Sequence, residues 1–240
     1  MKLFIGNKNY SSWSFRPWIA LRAKGIEFDE ILIPFDDEGG NPEFRKFSPS
    51  GKVPVLVDDG LTVWESLAIL EYLHDRFPDA GFWPRDRMAR SQARSVSNEM
   101  HGGFGALRSA CPMNMRREIR AIAVGDAVFR DVSRIETIWS ECLEKSGGPF
   151  LFGDFCNADA MYAPVVNRLE KYALSSHPVV QAYSRAMKIF IRPGSEWEKG
   201  FTGAEILDRA LQRRMLTPNR HAAETPRRIR RSPIRIRSAA

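Results

Sequence analysis

The chain has 240 residues, of which 43% are hydrophobic, so it can form one large folded domain or two small ones. No apolar run approaches the roughly 18 residues of a membrane span, and the polar opening lacks a signal peptide's apolar segment, so we expect a cytoplasmic protein with no membrane partner. Three widely spaced cysteines, Cys111, Cys142 and Cys156, argue against a disulfide framework or zinc site, and no metal is expected.

The formal net charge of +7 is unevenly distributed along the chain. Residues 209–240 contain ten arginines and one acidic residue, a charge of +9, which leaves −2 for the preceding 208 residues. The basic character therefore belongs to a tail, residues 202–240, whose low complexity predicts disorder. The tail is interpreted as disordered surface chain, and the alternative is that its arginines attach to nucleic acid or to an anionic surface.

The first part of the chain alternates strand and helix patterns. A helix after the first strand has Ser12 or Ser14 as its predicted N-cap and Gly25 as its stop. Asp59 and Gly60 predict a hairpin turn. The pattern predicts a compact α/β unit with a parallel and an antiparallel half. Its predicted elements are strands at 2–6, 27–34, 53–57 and 61–64, helices at 15–23 and 65–77, and at most one helical turn within 41–52.

The second part shows only helical periodicity, so we expect an all-α domain. A segment rich in proline, glycine and aspartate, residues 78–87, is typical of a linker. In the helix predicted after Cys156, Asp159 stands at the third position and offers a capping carboxylate. The predicted helices cover 88–107, 116–143, 158–172 and 178–190.

The junction of the first strand and helix carries Ser11 and Ser12, and free backbone N–H groups at a helix start favour an anion. A thiolate would suit this place, because a hydroxyl hydrogen bond and a helix N-terminus lower a thiol pKa. The alternative is that these serines only cap the helix. Tyr10 is the other nearby hydroxyl.

Two further features could hold a peptide ligand. Lys52 and Val53 precede Pro54, where a cis bond would expose the Val53 backbone as a free edge, although an ordinary trans turn is the general expectation. At the next helix start, Ser66 could receive a carboxylate and Glu65 an ammonium group. The alternative there is an acid favoured by the helix dipole beside a solvated serine.

Residues 11–21, 48–56 and 65–73 together resemble the soluble glutathione transferases, and the resemblance extends over about residues 1–200. The serine pair is most similar to the zeta-class and related bacterial enzymes. The resemblance implies that Ser11 holds the glutathione sulfur, that Val53 pairs with the cysteinyl backbone ahead of a cis Pro54, and that Glu65 and Ser66 bind the γ-glutamyl end. It also implies a homodimer.

These expectations give three regions: a thioredoxin-like glutathione-binding domain (1–78), an all-helical domain forming the electrophile site (88–201) and the basic tail (202–240). We expect a detoxifying glutathione transferase that stabilises the thiolate of its co-substrate glutathione for attack on a small electrophile. Glutathione-dependent cis-trans isomerisation of a maleyl-type acid is an alternative, and so is a non-enzymatic binding module with a nucleic-acid-binding tail. Substrate contacts are expected from Tyr10, Trp13, His101, Phe104 and Arg108.

Overall fold

The computed structural model describes residues 1–36 and 41–191. The N-terminal part forms one four-stranded sheet in the order β2-β1-β3-β4, with β1 and β2 parallel and the other pairs antiparallel. It is the predicted α/β unit. Its elements are β1 (Lys2–Ile5), α1 (Ser12–Ala23), β2 (Asp29–Leu32), β3 (Val55–Asp58), β4 (Leu61–Trp64) and α2 (Ser66–Arg76), with short 3-10 helices at Pro42–Lys46 and Pro78–Ala80.

The central strands place their apolar side chains in the core. Leu3 pairs with Leu56 across β1 and β3, and both are fully buried. The predicted strand at 27–34 is shorter in the structure, and the N-cap of α1 is Ser11 rather than Ser12 or Ser14. The predicted hairpin turn and the single helical turn within 41–52 are both present.

The rest of the described chain is helical. Its helices are α3 (Arg87–Gly102), α4 (Gly105–Ala110), α5 (Asp126–Ser146), α6 (Asn157–Lys171) and α7 (Pro178–Ile191). Every position of α6 from Asn157 to Leu169 is buried, so this helix is the centre of the domain. Among the described residues, none of the helices is long and apolar enough to cross a membrane.

Two helix predictions were wrong in extent. The helix expected over 88–107 breaks after Gly102, because Phe104 adopts a positive φ of 55° and a Cβ on Gly103 would lie 2.5 Å from the Glu99 carbonyl oxygen. The helix expected over 116–143 begins only at Asp126. The N–H of Arg116 bonds to Asn9 Oδ1 (3.0 Å) and that of Arg120 to the Lys171 carbonyl (3.1 Å), rather than to helical carbonyls.

The two parts share a continuous core. Helix α1 packs against α6, and Asn157 Nδ2 at the start of α6 donates to the Leu70 carbonyl on α2 (3.0 Å). The predicted linker is itself anchored, because Phe82 and Trp83 are buried. The basic tail and residues 192–201 of the predicted second domain lie outside the described residues.

Candidate active site

The start of α1 is organised by a serine network. Ser11 Oγ accepts from the Ser14 N–H (3.4 Å) and donates to Ser14 Oγ (2.7 Å), which also accepts from the Gly6 N–H (3.1 Å). Ser11 is buried, so its hydroxyl serves as the helix cap in this structure. To hold a sulfur atom, Ser11 would have to give up its bond to Ser14.

Ser12, the first residue of α1, differs from Ser11 in this respect. Its side chain is half-buried, and within residues 1–36 and 41–191 no hydrogen bond uses its hydroxyl. Its carbonyl accepts from Arg16 Nη1 (2.8 Å). The Ser12 hydroxyl is therefore available to a ligand at the helix N-terminus, where the dipole favours negative charge.

The Val53–Pro54 peptide bond is cis. The preceding loop is fixed by Ser48, whose Oγ donates to the Lys52 carbonyl (2.6 Å) and accepts from the Lys52 N–H (3.1 Å). In the described part of the chain, no hydrogen bond engages the Val53 N–H or carbonyl, and β3 begins only at Val55. Both polar groups of Val53 are thus open to an extended peptide.

Glu65 and Ser66 stand at the start of α2 in different environments. Glu65 is exposed and has a positive φ of 70°, a conformation that is costly for a non-glycine residue and that occurs preferentially at ligand sites. Ser66 is fully buried, and its Oγ donates to the Trp13 carbonyl (2.8 Å). This bond ties the start of α2 to the start of α1.

The Val53 loop, Glu65 and Trp13 of α1 border one cavity of about 210 Å³, which the predicted Ser11, Ser12 and Ser66 do not line. It is lined by Trp13, Ser50, Lys52, Val53, Pro54, Glu65 and His101. It therefore brings together five residues that were predicted from the first domain and one from α3. A larger cavity of about 570 Å³, between α6 and α7, contains none of the predicted site residues.

Three predicted substrate contacts lie elsewhere. Tyr10 and Phe104 are buried in the core, at 8% and 6% exposure, and neither lines the cavity. The structure therefore places neither residue at this cavity, and a substrate contact from either one stays a prediction. Phe104 is the N-cap of α4. Arg108 does not line the cavity either, but its guanidinium carbon lies 5.6 Å from the Trp13 ring centroid.

A cluster of arginines around Trp13 was missed by the sequence analysis. The Arg16 guanidinium carbon lies 4.2 Å from the Trp13 ring centroid, and the centroid of the His101 ring lies 5.1 Å from it. Burial and the positive charges of Arg168 and Arg108 lower the pKa of Arg16. Burial and Arg108 lower the pKa of Arg168 to about 10. A signal existed, since Arg16 interrupts an otherwise apolar helix face.

The comparisons with known proteins decide the family. Residues 10–76 match the model of the glutathione S-transferase N-terminal domain. The maleylacetoacetate isomerase of Rattus norvegicus is 30% identical over 184 residues, which cover 74% of this chain and 83% of the rat protein. The chain belongs to the glutathione transferase family. The serine junction, the cis Pro54 and the Glu65 helix start all fall within the part that matches the glutathione transferase model.

Solved glutathione transferases share the fold. A Burkholderia glutathione transferase homologue with bound glutathione superposes with a TM-score of 0.64 at 24% identity, covering 82% of this chain and 96% of that one. A bacterial zeta-class maleyl pyruvate isomerase gives 0.65 at 20% identity, covering 85% and 100%. These likenesses confirm the predicted architecture, a thioredoxin-like domain followed by helices.

Proposed function

We propose that this glutathione transferase binds glutathione in the 210 Å³ cavity and uses its thiolate against a small electrophile. The observation that carries the proposal is the convergence on this one cavity of Val53, Glu65 and Trp13, the residue that directly follows Ser11 and Ser12 at the start of α1. Each group matches a different part of an extended γ-glutamyl tripeptide. Related proteins of the family are named as glutathione S-transferases and maleylacetoacetate isomerases.

The proposed pose follows the chemistry of each lining group. The γ-glutamyl ammonium pairs with Glu65, and the cysteinyl N–H and carbonyl pair with the free backbone groups of Val53. Lys52, which is exposed at the cavity, can pair with a ligand carboxylate. Ser66 would need to release the Trp13 carbonyl before its hydroxyl could serve the ligand.

The chemical step then depends on the start of α1. A serine hydroxyl donates to the sulfur, the thiol proton leaves to solvent, and the helix dipole favours the resulting thiolate. The sulfur lone pair attacks the electrophilic carbon, a C–S bond forms, and the leaving group departs with its bonding electrons. The protein's contribution is to stabilise the thiolate and to position it.

The experiment that tests this function combines binding and turnover. Calorimetry should show one glutathione bound per chain, and the protein should accelerate conjugation of glutathione to an alkyl halide or isomerisation of a maleyl acid. Absence of glutathione binding would exclude the proposal. Binding without turnover of either substrate class would instead support a non-enzymatic module.

Isomerisation of an acidic substrate is the second candidate, and Arg108 favours it. The Arg108 Nε and the His101 Nδ1 are buried, and neither has a hydrogen-bond partner among the described residues. Arg108 does not line the cavity, so a substrate carboxylate would reach these two atoms past the Trp13 ring, which both side chains flank. In this reaction the thiolate would add to the double bond, the new single bond would rotate, and elimination would regenerate glutathione.

Replacing Arg108 by methionine should therefore separate the two reactions. We expect the KM for a maleyl-type acid to rise about 10- to 100-fold, because a charge-assisted bond to the carboxylate is lost. The KM for an uncharged alkyl halide should change less than about 3-fold. Steady-state kinetics on both substrates checks this, with the exposed Arg22→Met as control. Equal losses on both substrates would contradict a carboxylate-binding role.

We further propose a cytoplasmic homodimer. The edge strand β4 leaves Leu61 and Trp64 exposed, and Met88 at the start of α3 is 78% exposed. Large exposed apolar side chains often mark protein interfaces. Sedimentation equilibrium should give about twice the chain mass, and a monomer at micromolar concentration would exclude the dimer.

A further inference from the structure

Arg16 is a buried cation whose hydrogen bonds are made to neutral groups. It is fully buried on α1, and its nitrogens donate to the Ser12 carbonyl (2.8 Å), the Met161 carbonyl (3.1 Å) and Met100 Sδ (2.9 Å). Within residues 1–36 and 41–191, no ion pair includes Arg16. A buried guanidinium without a carboxylate is costly, so its positive charge lacks a counter-charge in this structure.

The charged groups that face Arg16 from the packed helices do not supply one. Arg108 on α4 and Arg168 on α6 both act on it as positive neighbours. Arg168 Nε donates to the Cys111 carbonyl (2.9 Å) and its Nη1 to the Pro164 carbonyl (3.1 Å), again neutral partners. On the cavity side stand Lys52, His101 and the exposed Glu65. The interior behind Trp13 is therefore positive.

This charge contacts two residues at the start of α1, Ser12 and Trp13. The guanidinium bonds to the carbonyl of Ser12 and stacks on the ring of Trp13, which lines the cavity. Ser12 and Trp13 belong to the helix start at which the proposed function puts the glutathione sulfur. An anion formed there would be the missing counter-charge.

We propose that Arg16 is a positioning residue that favours the ionised form of the glutathione sulfur from behind the cavity wall, without touching it. The inference rests on the proposed function. Loss of this positive charge raises the pKa of the bound thiol, because the ionised form loses its stabilisation. At an effective dielectric of about 20, a unit charge at a separation on the order of 10 Å shifts a pKa by about one unit, and we expect a shift of this size.

The sharpest test supplies Arg16 with a counter-charge while keeping its hydrogen bonds. Met100 touches Nη2 of Arg16 and is similar in length to glutamate and glutamine. In Met100→Glu, the pKa of bound glutathione, titrated by thiolate absorbance, should rise by about one unit, and the pH profile of kcat/KM should move with it. In the matched neutral control Met100→Gln, the pKa should stay within about 0.3 units of wild type, since no charge is added.

A second pair of variants removes the charge itself. Arg16→Met should raise the pKa of the bound thiol by about one unit. In Arg16→Lys, which keeps the positive charge, the thiol pKa should stay closer to the wild-type value. Arg22→Met, an exposed position on the same helix, should leave the pKa unchanged. Thermal unfolding of each variant identifies any that fails to fold. If an Arg16 variant does not fold, the thiol pKa values of Met100→Glu and Met100→Gln test the proposal.

The proposal is overturned if Met100→Glu binds glutathione with an unchanged thiol pKa, or if Arg16→Lys and Arg16→Met raise it equally. Failure of the proposed function would look different. In that case the wild-type protein itself would bind no glutathione, or would bind it with the pKa of the free thiol, near 8.5.

Discussion

Replacing Asp159 with alanine should lower the free energy of unfolding by about 4 kcal/mol. Its carboxylate accepts from the N–H groups of Leu151 (3.0 Å) and Cys156 (2.9 Å) and from the Tyr183 hydroxyl (2.9 Å). All four residues are buried, so alanine would leave three donors without partners, each at a cost of about 1–3 kcal/mol. Burial raises the pKa of Asp159, and these bonds counteract the rise.

Urea unfolding followed by circular dichroism measures this loss. Asp154→Ala is the matched control, because Asp154 lies in the same segment but is exposed, and its replacement should cost less than about 0.5 kcal/mol. The loss in Asp159→Asn should lie between those of Asp159→Ala and Asp154→Ala. The asparagine amide keeps one acceptor oxygen, but its NH₂ group faces another donor. A loss below about 1 kcal/mol in Asp159→Ala would show that the segment is held by other contacts.

Replacing Glu65 with glutamine should weaken glutathione binding about 30-fold with little effect on folding. Glu65 is exposed, has no capping hydrogen bond, and contributes the carboxylate of the cavity lining. In the proposed pose it pairs with the γ-glutamyl ammonium, and such a bond contributes roughly 2 kcal/mol, or about 30-fold in Kd. Calorimetric titration with glutathione gives the Kd directly.

The control for this variant is Glu43→Gln. Glu43 is also an exposed carboxylate of the N-terminal domain, but it pairs with Lys46 (2.6 Å) in the 3-10 helix and does not line the cavity. Its replacement should leave the Kd within about 2-fold of wild type. If both variants bind glutathione equally well, the γ-glutamyl end does not lie at Glu65.

The elements that the sequence predicted are those whose signal is local. Strand and helix patterns, the hairpin turn at Asp59 and Gly60, and the Asp159 cap all arise from residues close in sequence. The cis Val53–Pro54 bond could not be predicted from local sequence patterns. A general frequency argument favours trans, so only the resemblance to the family led to the expectation that the structure confirms.

The elements that the sequence missed depend on long-range contacts. Residues 116–125 have apolar residues at spacings compatible with a helix, but the N–H of Arg116 bonds to Asn9 and that of Arg120 to Lys171, both distant in sequence. The arginine cluster is similar, because Arg16 and Arg168 come from helices that meet only in the folded protein. A charged residue within an apolar run indicates that its position is buried, but the sequence does not show which residues surround it in the fold.

The serine pair shows how far the candidate site could be derived. The sequence located both hydroxyls at the helix start, and the resemblance assigned the sulfur to Ser11. In the structure the Ser11 hydroxyl donates a hydrogen bond to Ser14, whereas the Ser12 hydroxyl has no hydrogen-bond partner among the described residues. The choice between them depends on a side-chain rotation that sequence patterns do not encode.

The proposed chemistry requires above all that a serine hydroxyl at the start of α1 faces the glutathione sulfur. Titration of the bound thiol by its thiolate absorbance, in the wild-type protein and in Ser11→Ala and Ser12→Ala, tests this directly, with unfolding measured in parallel because loss of the Ser11 cap should cost about 1 kcal/mol. We predict a wild-type pKa below that of free glutathione and a rise of about one unit or more in at least one of the two variants. An unchanged thiol pKa in both folded variants would contradict the account.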